Sequence, residues 1–322
     1  MRRGRLGRPL RMAYSVAAAP RRVRGRLAMR RTVPFGRPGP SVPPDWLDGP
    51  RVRWAREGST ALWRSTVAVA KVVHALILRE AITRYGRRSA GYIWALFVPV
   101  LQAVVLITLF SAIGRGAAAG DSLVVFFITG IIPVFAWRNA AVRGATALHA
   151  NRWLMTYPQV RPFEIVLART ILELATSAVV VLIIVVAMAV FGGLTLDHWV
   201  DRPLSLACAI GVFVLLCHGT AVLSAQIGRI FDLWKDIMSA MGRVFFFASG
   251  VWYTFASLPP GPRQIVWYNP LAHLIEWIRD AVISSYSSDL YDPWYPLAVA
   301  VVLLTIGLLM EWRSTFVDTS DS

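Results

Sequence analysis

The chain has 322 residues, 56% of them hydrophobic, with a formal net charge of +16 and a mean hydropathy of +0.53. That length with that apolar excess points to one integral membrane domain and excludes a pair of water-soluble ones. The two lysines, Lys71 and Lys235, follow Ala70 and Trp234; a phosphate-cradling loop needs glycine immediately before its lysine, so the chain carries no ATP-capturing motif of that kind.

Residues 1–64 hold sixteen arginines against Asp45, Asp48 and Glu57, which is +13 of the total charge. With the proline-dense run 34–50 they are predicted to form a basic, disordered N-terminal extension, followed by a membrane domain over 65–322. Such a tail suits an anionic lipid surface, at about 1 kcal/mol per basic residue near it. No aromatic interleaving points to nucleic acid. The arginine-rich, acid-poor start also has the composition of an organelle transit peptide, and Met12 or Met29 serves equally well as a start.

Order is expected from about Val67. Over residues 78–85, Leu78, Ala81, Ile82 and Tyr85 share one helical face while Arg79, Glu80, Thr83 and Arg84 share the other. That pattern predicts a short helix lying in the membrane interface, and an ordinary juxtamembrane helix fits the same spacing.

Six hydrophobic spans follow, at residues 92–113, 122–137, 170–191, 203–228, 237–258 and 293–310. A bilayer core of about 30 Å needs roughly 20 helical residues. The second and sixth spans are short, and Arg138 and Trp312 at their ends can snorkel or sit at the interface. Cys208 and Cys217, nine apart in one span, read as apolar packing residues. Thirteen basic residues flank one side of these spans and four (Arg115, Arg202, Arg263, Arg279) the other, which predicts both termini in the cytoplasm.

Two connecting segments are long, an inner one at 139–169 and an outer one at 259–292. In the outer one Asn269 and Pro270 make an N-cap and first-turn pair. Leu271, Leu274, Ile275, Ile278 and Val282 then line one face, with His273, Glu276 and Asp280 on the other. This predicts an amphipathic helix half-buried at the outer surface. Pro259 stiffens the turn that leads to it.

Charges inside spans are expensive, so each needs a reason. Arg169 and Glu173, four apart, are expected to pair on one helix face, and a pore-lining role is the alternative. Arg243, about two turns into the fifth span, either snorkels or faces a channel. Trp94, Phe97, Phe245, Phe246, Trp252 and Tyr253 are candidates to line a path for a hydroxyl-rich substrate, although aromatic residues also collect at membrane interfaces. No enzymatic site emerges. His273 and Glu276 lack a further histidine or cysteine to complete a metal site, and Asp197, His198 and Asp201 resemble an ordinary polar turn.

Three blocks carry a resemblance: REAITRYGRRSAGYIWALFVPVLQ at 79–102, ANRWLMTYPQVRPFEIVLARTILE at 150–173, and SGVWYTFASLPPGPRQIVWYNPLAHLIEWIRD at 249–280. In this order relative to the spans, they resemble the permease subunit of ABC exporters of capsular polysaccharide, with O-antigen and teichoic-acid exporters as the wider family. The resemblance runs from about Ala70 to the C-terminus and leaves out the basic extension. It implies an all-α fold of six transmembrane helices with an N-terminal interfacial helix and outer re-entrant or amphipathic gate helices. It also implies a homodimer in a bacterial cytoplasmic membrane, a separate ATPase subunit that holds the ATP and magnesium, no cofactor in this chain, and a lipid-linked glycan as substrate. By the same resemblance, Arg79, Arg84, Arg143, Asn151, Arg152, Tyr157, Pro158 and Arg161 fall in the segments that meet the ATPase. Trp94, Arg243, Phe246, Trp252, Tyr253, Pro259, Asn269, His273 and Glu276 fall along the channel or its outer gate. An exporter of a small lipid or drug, and a membrane-bound glycan-modifying transferase, are the competing readings.

Overall fold

The computed structural model describes residues 58–85, 90–114, 116–120, 122–157, 160–191 and 200–320. Every regular element among them is helical. We number the main helices α1 (Gly58–Tyr85), α2 (Ala90–Ala112), α3 (Leu123–Ala145), α4 (Pro162–Val190), α5 (Pro203–Ile230), α6 (Trp234–Ala248), α7 (Pro260–Trp267), α8 (Pro270–Val282) and α9 (Trp294–Ser320). The predicted extension lies outside the described residues up to 57, and helix already begins at Gly58, earlier than expected.

Proline marks the starts of α4, α5, α7 and α8. Its fixed φ suits a first helical turn, where the missing N–H has no intrahelical partner to lose. At α4, Glu164 reaches back to accept a hydrogen bond from the Arg161 N–H at 3.1 Å, which satisfies one of the donors a helix start leaves open. Ser122 caps α3 by accepting from the Val125 N–H.

Among the described residues four helices are long and apolar enough to cross a membrane: Leu123–Ala145, Pro162–Val190, Pro203–Ile230 and Trp294–Ser314. The described apolar stretch of α2 is shorter, Val100–Ala112. The predicted fifth span, 237–258, is not one helix. It ends after 15 residues at Ala248, and the chain then passes through Gly250 at φ +78° into irregular backbone and a 3₁₀ turn, Phe255–Ser257. Only glycine adopts that backbone at little cost, so Gly250 is where the continuous span breaks. The inner connecting segment is also shorter than predicted. α3 runs on to Ala145 and α4 starts at Pro162, leaving 146–161 for a helical turn at Ala147–Ala150 and a 3₁₀ turn at Arg152–Thr156.

α3 and α5 form the heart of the bundle, with α9 against α5, α6 against α3, and α1 against α4. α4 and α9 leave most of their apolar surface facing outward. Between membrane helices hydrocarbon offers no hydrophobic drive, so close packing decides. Small residues provide it here. A Cβ added at Gly144 would stand 2.5 Å from the Ala221 carbonyl oxygen, and one at Gly228 would fall on the Ala145 carbonyl. On the other side of α5, a Cβ at Gly219 would stand 2.8 Å from Ala300 O, and one at Gly307 2.8 Å from Val222 Cγ1. The backbones of α3, α5 and α9 therefore touch at glycine.

Gly144→Ala is expected to destabilise the purified chain by about 1–3 kcal/mol, because backbone rather than a flexible side chain must give way. Gly211→Ala, on α5 and with open space around its Cβ, should be neutral or stabilising by up to about 1 kcal/mol. Thermal unfolding followed by intrinsic fluorescence reads the difference, and equal melting points for the two variants would contradict the packing described.

Candidate coupling surface and polar end

At one end of the bundle, charged residues on α1, α3 and α4 interlock. The expected Arg169–Glu173 pair does not form. Arg169 lies on the α4 face toward α1, where its Nε is 3.0 Å from Glu80 Oε1, and its Nη1 donates to the Arg143 carbonyl and Thr146 Oγ1. Glu173 pairs with Arg143 of α3 instead. Each charge thus has a partner on another helix, which ties three elements together where an i,i+4 pair would have tied one to itself. Arg79 of α1 donates to Asn151 Oδ1 at 2.7 Å, and Asn151 Nδ2 donates to the Ala147 carbonyl at 2.9 Å. Asn151 is buried, so it holds α1 to the connecting segment and presents nothing outward.

What this frame presents is a basic and aromatic knob. Trp153 is 72% exposed and Tyr157 62%, and the Arg152 guanidinium stands 5.1 Å from the Trp153 ring centre. Arg161 is exposed close by. The side chain of Arg84 and all of Pro158 lie outside the described residues. Along α1, Val73 and Leu76 face the bundle while Leu78 and Ile82 are exposed. Two members of the apolar stripe read from the sequence, Leu78 and Ile82, therefore point away from the bundle, while Ala81 is half-buried. Trp153, Glu80 and Thr146 were missed in the sequence, although a tryptophan next to an arginine in a segment between spans is a readable signal.

The opposite end carries a denser polar assembly, built on α8. Asn269 caps this helix as expected, accepting from the Leu271 N–H at 3.0 Å, and its Nδ2 also reaches Ala248 O and Ser249 Oγ at the end of α6. The expected solvent-facing polar side of α8 is not found, because residues 271–282 are all buried. His273, Glu276 and Asp280 point into protein. The Asp292 N–H donates to His273 Nδ1 at 3.0 Å, so Nε2 carries the proton and donates to the Trp267 carbonyl at 2.8 Å. His273 lies outside the four membrane-length helices, and burial holds its pKa below the ordinary 6.5. Glu276 accepts from Tyr286 Oη, from Ser288 Oγ and from the Phe255 N–H. Asp280 accepts from Arg202 Nη1 at 2.9 Å, from Tyr291 Oη at 3.0 Å and from the Ser288 N–H.

Arg279, read in the sequence as an outer-loop charge, is wholly buried. Its Nη1 donates to the carbonyls of Gly250 and Tyr253 at 2.7 and 3.0 Å. Its Nη2 reaches those of Phe126 and Val251 at 3.2 and 3.4 Å. The guanidinium also sits 3.9 Å from the centre of the Phe126 ring. A buried carbonyl without a donor costs about 1–3 kcal/mol, so this one side chain makes the irregular stretch after α6 tenable. Pro259, exposed, precedes α7 and contributes only the turn.

Between the two ends, α6 packs its aromatic side against α3. Phe246 stacks on Phe135 with centroids 5.5 Å apart and meets Trp252 edge-on at 5.5 Å. Trp252 also contacts Phe110 and Phe247, and Tyr253 Oη donates to the Phe247 carbonyl. The structure thus brings Phe246, Trp252 and Tyr253 together; the side chain of Trp94 lies outside the described residues. The other side of α6 is exposed and mixed, with Asp236, Ile237, Met241, Arg243, Val244 and Phe247. Arg138 of α3 crosses α6 at Gly242, where an added Cβ would overlap its methylenes. Among the described residues neither Arg138 nor Arg243 has a carboxylate within ion-pair distance.

The profile of the ABC-2 type transporter family matches residues 71–283. The chain is similar to the capsule polysaccharide export inner-membrane protein CtrC of Neisseria meningitidis serogroup B, 27% identical over 254 residues that cover 78% of this chain and 94% of the relative. It is 28% identical to the polysialic acid transport protein KpsM of Escherichia coli, over 77% of this chain and 95% of the relative. A more distant similarity, 25% over 71% of this chain and 86% of the relative, is to the O-antigen export system permease protein RfbA of Klebsiella pneumoniae.

Removing the Arg279 guanidinium leaves the Gly250, Val251 and Tyr253 carbonyls without their donor and takes a positive charge from the neighbourhood of Glu276. Arg279→Ala is expected to cost on the order of 3–5 kcal/mol. Arg279→Lys should recover little, since a point charge cannot span acceptors fixed by a planar fork. The check is the melting temperature of both variants and proteolysis within 249–259, which should become accessible first. A lysine variant as stable as the native chain would refute this role.

Proposed function

Because the chain belongs to the ABC-2 type transporter family, we propose that it is the permease subunit of an ATP-driven exporter that moves a lipid-linked polysaccharide out across the cytoplasmic membrane. Two copies make the pathway and a separate ATPase supplies the energy. Six passes are formed by α2, α3, α4, α5, α6 and α9, with α1 in the cytoplasmic interface, α7 and α8 at the outer end, and both termini inside. The exposed Leu78 and Ile82 on α1 support the interfacial placement.

The observation that carries the pathway is Arg243. It lies nine residues beyond Trp234, about 14 Å along α6 at 1.5 Å per residue. An arginine at the centre of a spanning helix costs roughly 2.5–3.5 kcal/mol on insertion scales if it faces hydrocarbon. An exposed, unpaired one there belongs to a face that meets water or a second copy. Arg138 at Gly242 adds a second cation on the neighbouring helix. A glycan with an anionic linkage finds along this face positive charge and the exposed ring of Phe247, backed by Trp252, on which that ring stacks. Hydroxyl-rich sugars stack on such rings while their hydroxyl groups stay hydrated.

The ATPase docks on the knob of Arg152, Trp153 and Tyr157. Exposed aromatic residues beside arginine are what interface centres favour. The interlocked Arg79, Glu80, Arg143, Arg169 and Glu173 behind the knob pass its displacement to α1, α3 and α4 together. In a strain lacking the chain, surface polysaccharide should disappear and accumulate inside, and the native chain should restore it. Trp153→Ala combined with Tyr157→Ala should lower recovery of the co-expressed ATPase on the purified permease at least tenfold and abolish export, with membrane insertion unchanged. Normal export by the double variant would rule out the knob as the dock, and normal surface polysaccharide without the chain would rule out the substrate class.

A further inference from the structure

A cavity of about 500 Å³ lies between α3, α4, α5 and α8. The sequence creates it by placing Ala175 and Ala178 on α4 and Ala136 on α3 where larger residues would close the gap. Its walls are otherwise Ile, Leu, Val, Met, Phe and Pro side chains. The two hydroxyls on the lining are already committed. Thr129 donates to the Val125 and Phe126 carbonyls, and Ser177 donates to the Glu173 carbonyl. Among the described residues the lining therefore offers nothing to a sugar, and too little to hold water, which needs two to four polar partners.

The mouth opens sideways. Ile171, Ala175 and Ala178 on α4 and Ile210 and Val214 on α5 are exposed along its rim, and both helices are long and apolar enough to span the bilayer. What reaches this opening is lipid hydrocarbon. The wall from α3 runs from Val125 to Ala136, about 16 Å of helix at 1.5 Å per residue. Spread over that length, the volume leaves a cross-section of about 30 Å², the width of a single extended chain. A bilayer core about 30 Å thick gives each leaflet about that length of hydrocarbon.

We propose that this cavity binds one acyl chain of an ordinary bilayer phospholipid, inserted between α4 and α5 and seated against Ile278 and Val282 of α8. The chain completes the packing of Ile278 and Val282, which adjoin Arg279 on α8. The site is separate from the exposed face of α6 and does not depend on which substrate is exported.

The test is native mass spectrometry of the full chain, purified from membranes in mild detergent. One phospholipid per chain should survive moderate delipidation. Ala178→Phe, which fills the cavity, should lower that occupancy at least tenfold, and Ala175→Leu, at the mouth, should lower it as well. Leu182→Phe, on an exposed position outside the lining, should retain the lipid. Monodisperse elution shows that each variant is folded, and either cavity variant alone suffices. Equal phospholipid retention by the native chain and a folded cavity variant would overturn the proposal. Retention of a glycan-linked lipid in place of phospholipid would overturn the assigned occupant.

Discussion

The Arg279 guanidinium holds three main-chain carbonyls that no helix can satisfy and a fourth, that of Phe126, in α3, and the architecture of one end of the bundle follows from it. Polar backbone removed from water has to be paired. From Gly250 the irregular backbone beyond α6 points carbonyls inward, and α8 delivers the donors to meet them. Because Arg279 also reaches Phe126 of α3, the break in α6, the helix that follows it and the central helix are fixed in one step. Glu276, Asp280 and His273 extend the same arrangement to Tyr286, Tyr291 and Asp292. An end of the molecule built from buried polar contacts has a definite seated state, and the loss of several bonds together marks its departure from that state.

The other end follows different physics. There the charges of Arg79, Glu80, Arg143, Arg169 and Glu173 connect helices pairwise and leave Arg152, Trp153 and Tyr157 outward. Between the ends, glycine contacts keep α3, α5 and α9 at backbone distance. Such contacts transmit a rigid displacement and offer little room for side chains to absorb it. The three helices therefore form a stiff body, whereas the shorter α6 keeps an exposed, mixed face.

Much of this was legible in the sequence. The long apolar runs announced α3, α4, α5 and α9, since length and composition decide such helices. Asn269-Pro270 gave the start of α8 correctly because capping is local chemistry. The polar side of α8 was misjudged for a definite reason. Periodicity shows that His273, Glu276 and Asp280 share a side but not whether that side meets water, and here Tyr286, Ser288 and Tyr291 return from later in the chain to cover it. Arg169 and Glu173 failed similarly, because i,i+4 spacing identifies possible partners while tertiary neighbours four and more turns away compete for them. The break in α6 was hidden by an apolar run that stays continuous through Ser249 and Gly250, where backbone conformation rather than hydropathy ends the helix.

The central claim is that the exposed side of α6 borders water instead of hydrocarbon. Cysteine accessibility in native membranes tests it most directly, with Cys208 and Cys217 first replaced by alanine. Position 243 of Arg243→Cys should react with a charged, water-soluble thiol reagent, whereas Leu309→Cys, exposed on α9, should react only with a lipid-soluble one. If position 243 is as protected from the charged reagent as position 309 while lipid-soluble reagent modifies both, α6 faces lipid and the pathway lies elsewhere.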